Sequence, residues 1–208
     1  MGYVFDAPIH YIVLNEDDNQ ITISFIRKFI AILDQIESSE EGPGVVVTIG
    51  TGKHFSTGFD MGAWISEPEN YYPGMDELRV LLDRLLRLSL PSLCVFNGNA
   101  MAGGYFFGCC HDMRIMNGNR GRICLTEIYF SGFLTPPLMQ CLQAKLTPSA
   151  VHKLHMGASL RPDEAIKDRI IDDIYSDEQA LMKMIKNYAA RYAELGRHRF
   201  AIKMNKTN

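Results

Sequence analysis

The chain has 208 residues, enough for a single domain over 1–208 that buries roughly 70% of its unfolded surface. Its composition, 47% hydrophobic and 22% charged, is that of an ordinary globular protein. The formal net charge of -3 leaves no basic excess for nucleic acid or an anionic membrane surface, although a few local basic residues could serve one phosphorylated ligand.

No apolar run approaches the ~20 residues of a membrane span. The N-terminal MGYVFDAPIHYIVLNEDDNQ has neither the basic n-region of a secretory signal nor the arginines of a transit peptide, and the C-terminal KMNKTN is not a peroxisomal address. Cys94, Cys109, Cys110, Cys124 and Cys141 form an odd set without C-x-x-C spacing. They read as small core residues of a reducing compartment, with no metal site.

Ile9 to Asn15 is a β-rich run, followed by a polar turn at Glu16 to Asn19. Ile26, Phe29, Ile30, Leu33 and Ile36 recur at helical spacing, so a helix runs to about Ser38, where EEGPG breaks it. Val45 to Ile49 is a strand buried on both faces. It opens into GTGKHFSTGFDMG, a glycine-punctuated loop. Leu78, Leu81, Leu82, Leu85 and Leu86 mark a second helix, and PSLCVFNG a second buried strand. A buried helix follows in MAGGYFFGCCHD, with Gly103 and Gly104 near its start. MRIM, a turn at NGNRG and a strand at RICLTE come next. Two short helices open on Thr-Pro, TPPLMQCLQAKL and TPSAVHKLHMG. RPDEAIKDRIIDDIY is a short helix and a strand, and a last helix spans about Asp177 to Leu195. Strand and helix alternate, so the class is α/β.

Each buried strand thus ends in a glycine loop, His54 to Asp60 and Met101 to Phe106. Free N–H groups at a helix start favour negative charge. One N–H from each loop, converging on a single oxygen, would make an oxyanion hole. On local grounds alone, tight turns and close packing are the leading account of the glycines. Neither a phosphate-binding GxxxxGK[ST] loop nor a GxGxxG fingerprint is present.

The joint pattern is more specific. KHFSTGFDM, then NGNAMAGGYFFGCCHDMRI, then LTEIYFSGFLTPP resembles the crotonase, or enoyl-CoA hydratase/isomerase, superfamily, from about Ile9 to about Tyr192. The pattern is most like that of the Δ3,Δ2-enoyl-CoA isomerases. The resemblance implies a ββα spiral with surrounding helices, its core over about 9–175 and a C-terminal helical segment over about 176–208. It implies oxyanion donors at the Phe59 and Gly103 amides. Ser56, Thr57, Gly58, Phe59 and Asp60 would line the path of coenzyme A, with Gly104 and Thr126 beside the thioester and Asp60 holding its loop by hydrogen bonds. Of the two glutamates that family hydratases use on water, one position is Phe106 here and the other is Glu127. A lone carboxylate suits moving one proton from C2 to C4 of a 3-enoyl thioester. Phe106, Phe107 and Ile128 would exclude water and raise the pKa of Glu127. A hydratase would need a second carboxylate, for which Glu67, Glu69, Asp76 and Glu77 are the candidates.

No metal or cofactor is implied beyond the acyl-CoA substrate itself. A homo-oligomer, trimer or hexamer, or a place in a larger complex is implied, with a mitochondrial or peroxisomal matrix as the setting. Family members run longer, so a shortened C-terminal helical region is expected, and with it a non-catalytic subunit as the alternative. Other candidates are read as structural or solvated: His111 and Asp112 as hydrogen-bonding groups, Lys53 and Arg122 as surface charges, and His152 and His155 as an i, i+3 pair lacking a third ligand. His54 either meets a phosphate or caps its loop. Ser56 lacks a base, and Trp64 packs near the acyl end or beneath the loop.

Overall fold

Successive residues of a strand point to opposite faces of its sheet, and here both faces are apolar. The computed structural model describes residues 1–16, 18–39, 42–66 and 68–207. Asp17 of the expected turn, Glu40 and Glu41 of the helix break, and Glu67 lie outside them. The main sheet has the order β1 (Gly2–Asp6), β2 (Ile9–Leu14), β3 (Val45–Gly50), β5 (Ser92–Phe96), β7 (Met113–Asn117) and β9 (Asp173–Tyr175). Only β1 runs antiparallel to its neighbour among the described strands. A second, parallel sheet holds β4 (His54–Ser56), β6 (Asn99–Met101) and β8 (Ile123–Cys124). The pairs β3–β4, β5–β6 and β7–β8 are successive turns of a spiral, each giving one strand to each sheet. Asn97 Nδ2 donates to Gly52 O at 3.0 Å and Arg120 Nε to Asn97 O at 2.8 Å, tying one turn's corner to the next.

Val46, Cys94 and Phe96 face a core built with α1 (Ile23–Ser38), α3 (Pro68–Leu86), α4 (Gly103–Cys109) and α5 (Pro136–Lys145). Val45, Val47, Leu93 and Val95 face the other way, onto Leu181, Ile185 and Tyr188 of α8 (Glu178–Tyr192). This two-sided cover is why VVV runs apolar without alternation. The remaining helices are α2 (Met61–Ser66), α6 (Pro148–His155), α7 (Pro162–Lys167) and α9 (Arg199–Thr207). Among the described residues, no helix is long and apolar enough to cross a membrane.

Several elements differ from the sequence reading: β4 falls within the expected glycine loop, and β6 and α2 were not anticipated. β1 forms a hairpin with β2 at the sheet edge, where Val4 stays 55% exposed and leaves little apolar signal. The strand expected through Glu127 ends at Cys124, because its partner β6 turns into α4 after Met101; Glu127 to Phe130 form a 3₁₀ turn instead. Beyond α8 the chain continues through a 3₁₀ segment, Ala193–His198, into α9. The Lys206 ammonium pins α9 by donating to Leu90 O at 2.9 Å and Asp112 Oδ2 at 2.6 Å.

His111 spans from α4 to β3, with Nε2 against Thr48 Oγ1 at 2.9 Å and Nδ1 against Gly108 O at 3.2 Å. Burial pushes its pKa down to about 4, and that of His10 likewise to about 4, with Arg199 adding to the effect at His10. Both rings are therefore held neutral in the fold while the unfolded chain takes up protons near the ordinary 6.5. Stability is present above that value and falls as pH drops from about 6.5 toward 4, by up to about 1.4 kcal/mol per pH unit for each ring. Urea unfolding midpoints measured across this window should fall with pH, and His111→Gln should flatten the slope.

Candidate active site

The first loop is held from below. Ser56 is fully buried, and its hydroxyl donates to Asn19 O at 2.7 Å and accepts from Gly58 N at 3.1 Å. Gly58 turns with φ of +95°, a conformation that favours glycine. Gly58 O accepts from Ile21 N at 2.8 Å and Asp60 N donates to Ile21 O at 3.4 Å. Amides alternate sides along such a bridge, so the intervening Phe59 N–H faces away from Ile21 and finds no acceptor among the described residues. Asp60 Oδ1 accepts from Ala63 N at 3.0 Å, capping the start of α2.

The second loop comes off β6. Ala102 N donates to Cys124 O at 2.8 Å, and Ala102 O accepts from the Tyr105 and Phe106 amides at 3.0 and 3.3 Å. Ala102 has φ of +46° and ψ of -122°, a strained backbone for a residue with a Cβ. The Gly103 and Gly104 amides open α4, have no carbonyl one turn back, and meet no described acceptor.

The glycine pair is explained by how closely the loops approach. A Cβ on Gly104 would lie 2.7 Å from both Ser56 O and Ser56 Cβ. A Cβ on Gly58 would lie 3.0 Å from Met101 O and 3.1 Å from Gly103 N. A Cβ on Gly103 would lie 2.8 Å from Phe59 Cζ, so that ring covers bare backbone. Trp64 supports the ring edge-on at 6.0 Å and is itself anchored by Nε1 to Ile21 O at 3.1 Å, which places it beneath the loop.

Glu127 sits three residues past Cys124, the acceptor of the Ala102 amide, so β6–β8 pairing brings it to the same end of the small sheet as Gly103. Both of its carboxylate oxygens are buried and lack a hydrogen-bond partner among the described residues. Burial pushes its pKa above the usual carboxylate range. It lines a cavity of about 220 Å³ with Leu125, Ile128, Phe133, Leu134, Met139 and His155. Thr126 is half-buried beside it, its carbonyl accepting from Tyr129 N at 3.0 Å.

Several expected site residues are placed elsewhere. Ser56, expected against the ligand, lies under the loop with its hydroxyl engaged. Thr57 is half-buried and turns both its amide and its hydroxyl to Asp18 O, at 3.0 and 3.4 Å. Phe107 is not a site wall: it packs in the core at 5.6 Å from Phe25 and 4.8 Å from Phe29. Phe106 is also fully buried. Glu77 is taken by Arg27 at 2.7 Å, Asp76 lies 3.8 Å from Arg79, and Glu69 is exposed. His54 straps its loop to Asn99 at 3.1 Å, and Arg122 bonds Ser159 O at 3.1 Å. Asp112 is structural, accepting from Ser92 N at 2.9 Å and from Lys206. Among the described residues no three histidine, cysteine or carboxylate groups gather as a metal site. His155, read from spacing as half of an incomplete pair, reaches the Glu127 cavity; helical spacing carries no signal of which cavity a side chain enters.

Comparison with known proteins gives a consistent picture. A family model described as enoyl-CoA hydratase/isomerase matches residues 5–207. Enoyl-CoA delta isomerase 3 of Arabidopsis thaliana is 27% identical over 170 residues, covering 78% of this chain and 71% of that protein. The human mitochondrial enoyl-CoA delta isomerase 1 is 27% identical over 169 residues, and this chain spans 56% of it. Among solved structures, a probable enoyl-CoA hydratase of Mycobacterium tuberculosis superposes with a TM-score of 0.88 at 22% identity, covering 99% of this chain and 87% of that one. At that identity the likeness carries the fold, a crotonase-type spiral.

Proposed function

Because the chain belongs to the enoyl-CoA hydratase/isomerase family, we propose that it isomerises 3-enoyl-CoA to 2-enoyl-CoA. The observation that carries this reading is the state of Glu127, a buried carboxylate with both oxygens unpartnered. The position where a hydratase of this family has its other glutamate is Phe106, buried in the core. The relatives named as delta isomerases support the same choice.

In this mechanism the thioester oxygen seats between the Phe59 and Gly103 amides. The Glu127 carboxylate takes a proton from C2, and the electron pair moves into the thioester carbonyl. The resulting dienolate oxygen is held by the two amides, each such donor being typically worth ~3 to 4 kcal/mol of barrier. The Glu127 carboxyl then delivers the proton to C4, leaving the double bond conjugated with the carbonyl. A raised pKa suits both halves of this cycle, because the group must accept and release a proton near working pH.

The test is turnover of a 3-enoyl-CoA by the full chain, followed as formation of the conjugated 2-enoyl thioester, with hydration of 2-enoyl-CoA assayed alongside. Isomerisation without hydration is expected. Hydration alone would reassign Glu127 to water chemistry, and neither activity would favour a non-catalytic subunit.

A further inference from the structure

The cavity beside Glu127 holds a second group that single-carboxylate chemistry does not use. His155 Nδ1 is buried and has no hydrogen-bond partner among the described residues, and His155 lines the same cavity as Glu127, whose two carboxylate oxygens are likewise buried and unpartnered. Unsatisfied buried polar atoms are rare in folded proteins, so three on residues lining one cavity mark a site rather than packing. The other wall residues named above are apolar. His155 also lines an outer groove of about 360 Å³ with Gln143 and His152, so its ring stands between groove and cavity. The titratable groups facing it are Glu127 across the cavity and His152 on its own helix, with ring centroids 5.2 Å apart. At ~30 Å³ per water, a cavity of about 220 Å³ has room for several bridging molecules.

We propose that His155 is a proton-relay residue of the Glu127 site, connecting the carboxyl group with solvent through the cavity they share. A proton on Glu127 passes by way of water to His155 Nδ1 while Nε2 releases one to the groove; the reverse path brings a solvent proton back. Each cycle exchanges one proton for one, with no net change in charge. Resting on the isomerase reading, this gives the intermediate time to trade the proton taken from C2 for one from solvent before C4 is protonated.

Two experiments separate this proposal from that reading. The first needs no turnover: the His155 ring nitrogens are observed by 15N–1H NMR in the wild type and in Glu127→Gln. Loss of the facing carboxylate should move the His155 ring-nitrogen resonances. Unchanged resonances overturn the relay, whatever the protein catalyses. The second is isomerisation in D2O, scored as deuterium gained at C4 per turnover. Wild type should take up solvent deuterium, and His155→Gln should cut uptake per turnover severalfold, with His155→Asn as a second variant. Equal uptake, or no uptake by the wild type, overturns the proposal. If the wild type turns over no 3-enoyl-CoA, the isomerase reading fails and the NMR comparison alone decides whether His155 and Glu127 are coupled.

Discussion

Replacing Glu127 with glutamine should lower turnover of a 3-enoyl-CoA by about 10²- to 10⁴-fold, the range a positioned general base contributes. Binding of the thioester should change little, because the amides of Phe59 and Gly103 are untouched. The same variant should be more stable than the wild type at neutral pH. Burial raises the Glu127 pKa, so the folded state holds its proton above the pH at which the unfolded chain releases it. Stability therefore falls as pH rises from the ordinary carboxylate value through the raised one, and remains lower beyond it. Glutamine removes that penalty and leaves the cavity filled. Thermal melts should show the variant's advantage at pH 7 and its disappearance in acid. Activity should run the other way in the wild type, rising with pH as Glu127 ionises. Full activity in the glutamine variant would remove Glu127 from the mechanism.

The second large effect is expected at Gly58. Alanine there meets two obstacles at once, a φ of +95° and backbone atoms of the second loop at 3.0 and 3.1 Å. Those neighbours are Met101 O and Gly103 N, which cannot swing aside as a side chain can. Overpacking of this kind costs about 1–3 kcal/mol. At about 2–4 °C per kcal/mol for a chain of this size, Gly58→Ala should melt several degrees lower. The loops would be forced apart where the proposed mechanism brings the two amides together, and a displacement of about 1 Å can lower turnover by about 10²-fold. Gly103→Ala provides the contrast. Its new Cβ would press on the Phe59 ring, which can shift, so its melting temperature should fall less than that of Gly58→Ala. Equal melting and turnover in Gly58→Ala and the wild type would mean that the close approach of the loops is not needed.

Much of the architecture was legible because its signals are local. The unbroken VVV run announced a strand covered on both faces, and β3 is packed against one core through Val46 and another through Val45 and Val47. The spacing of Ile26, Phe29, Leu33 and Ile36 marked the buried face of α1. The residue pattern around Phe59, Gly103 and Glu127 carried the family. Errors fell where the deciding contact is distant. Glu127 lies in a 3₁₀ turn because β6, not β8, ends the pairing; Phe107 turns into the core because α1 offers it Phe25 and Phe29.

The sequence by itself therefore determined the α/β class and the longer buried strands and helices such as β3, β5 and α1. Tertiary structure decided the rest. It set Ser56 beneath its loop, left the Phe59 and Gly103 amides without acceptors, and stripped Glu127 of partners. It also turned His155 toward the same cavity. Periodicity and turn chemistry act over a few residues along the chain, whereas burial, orphaned polar atoms and raised pKa values arise only when distant segments exclude water from one another.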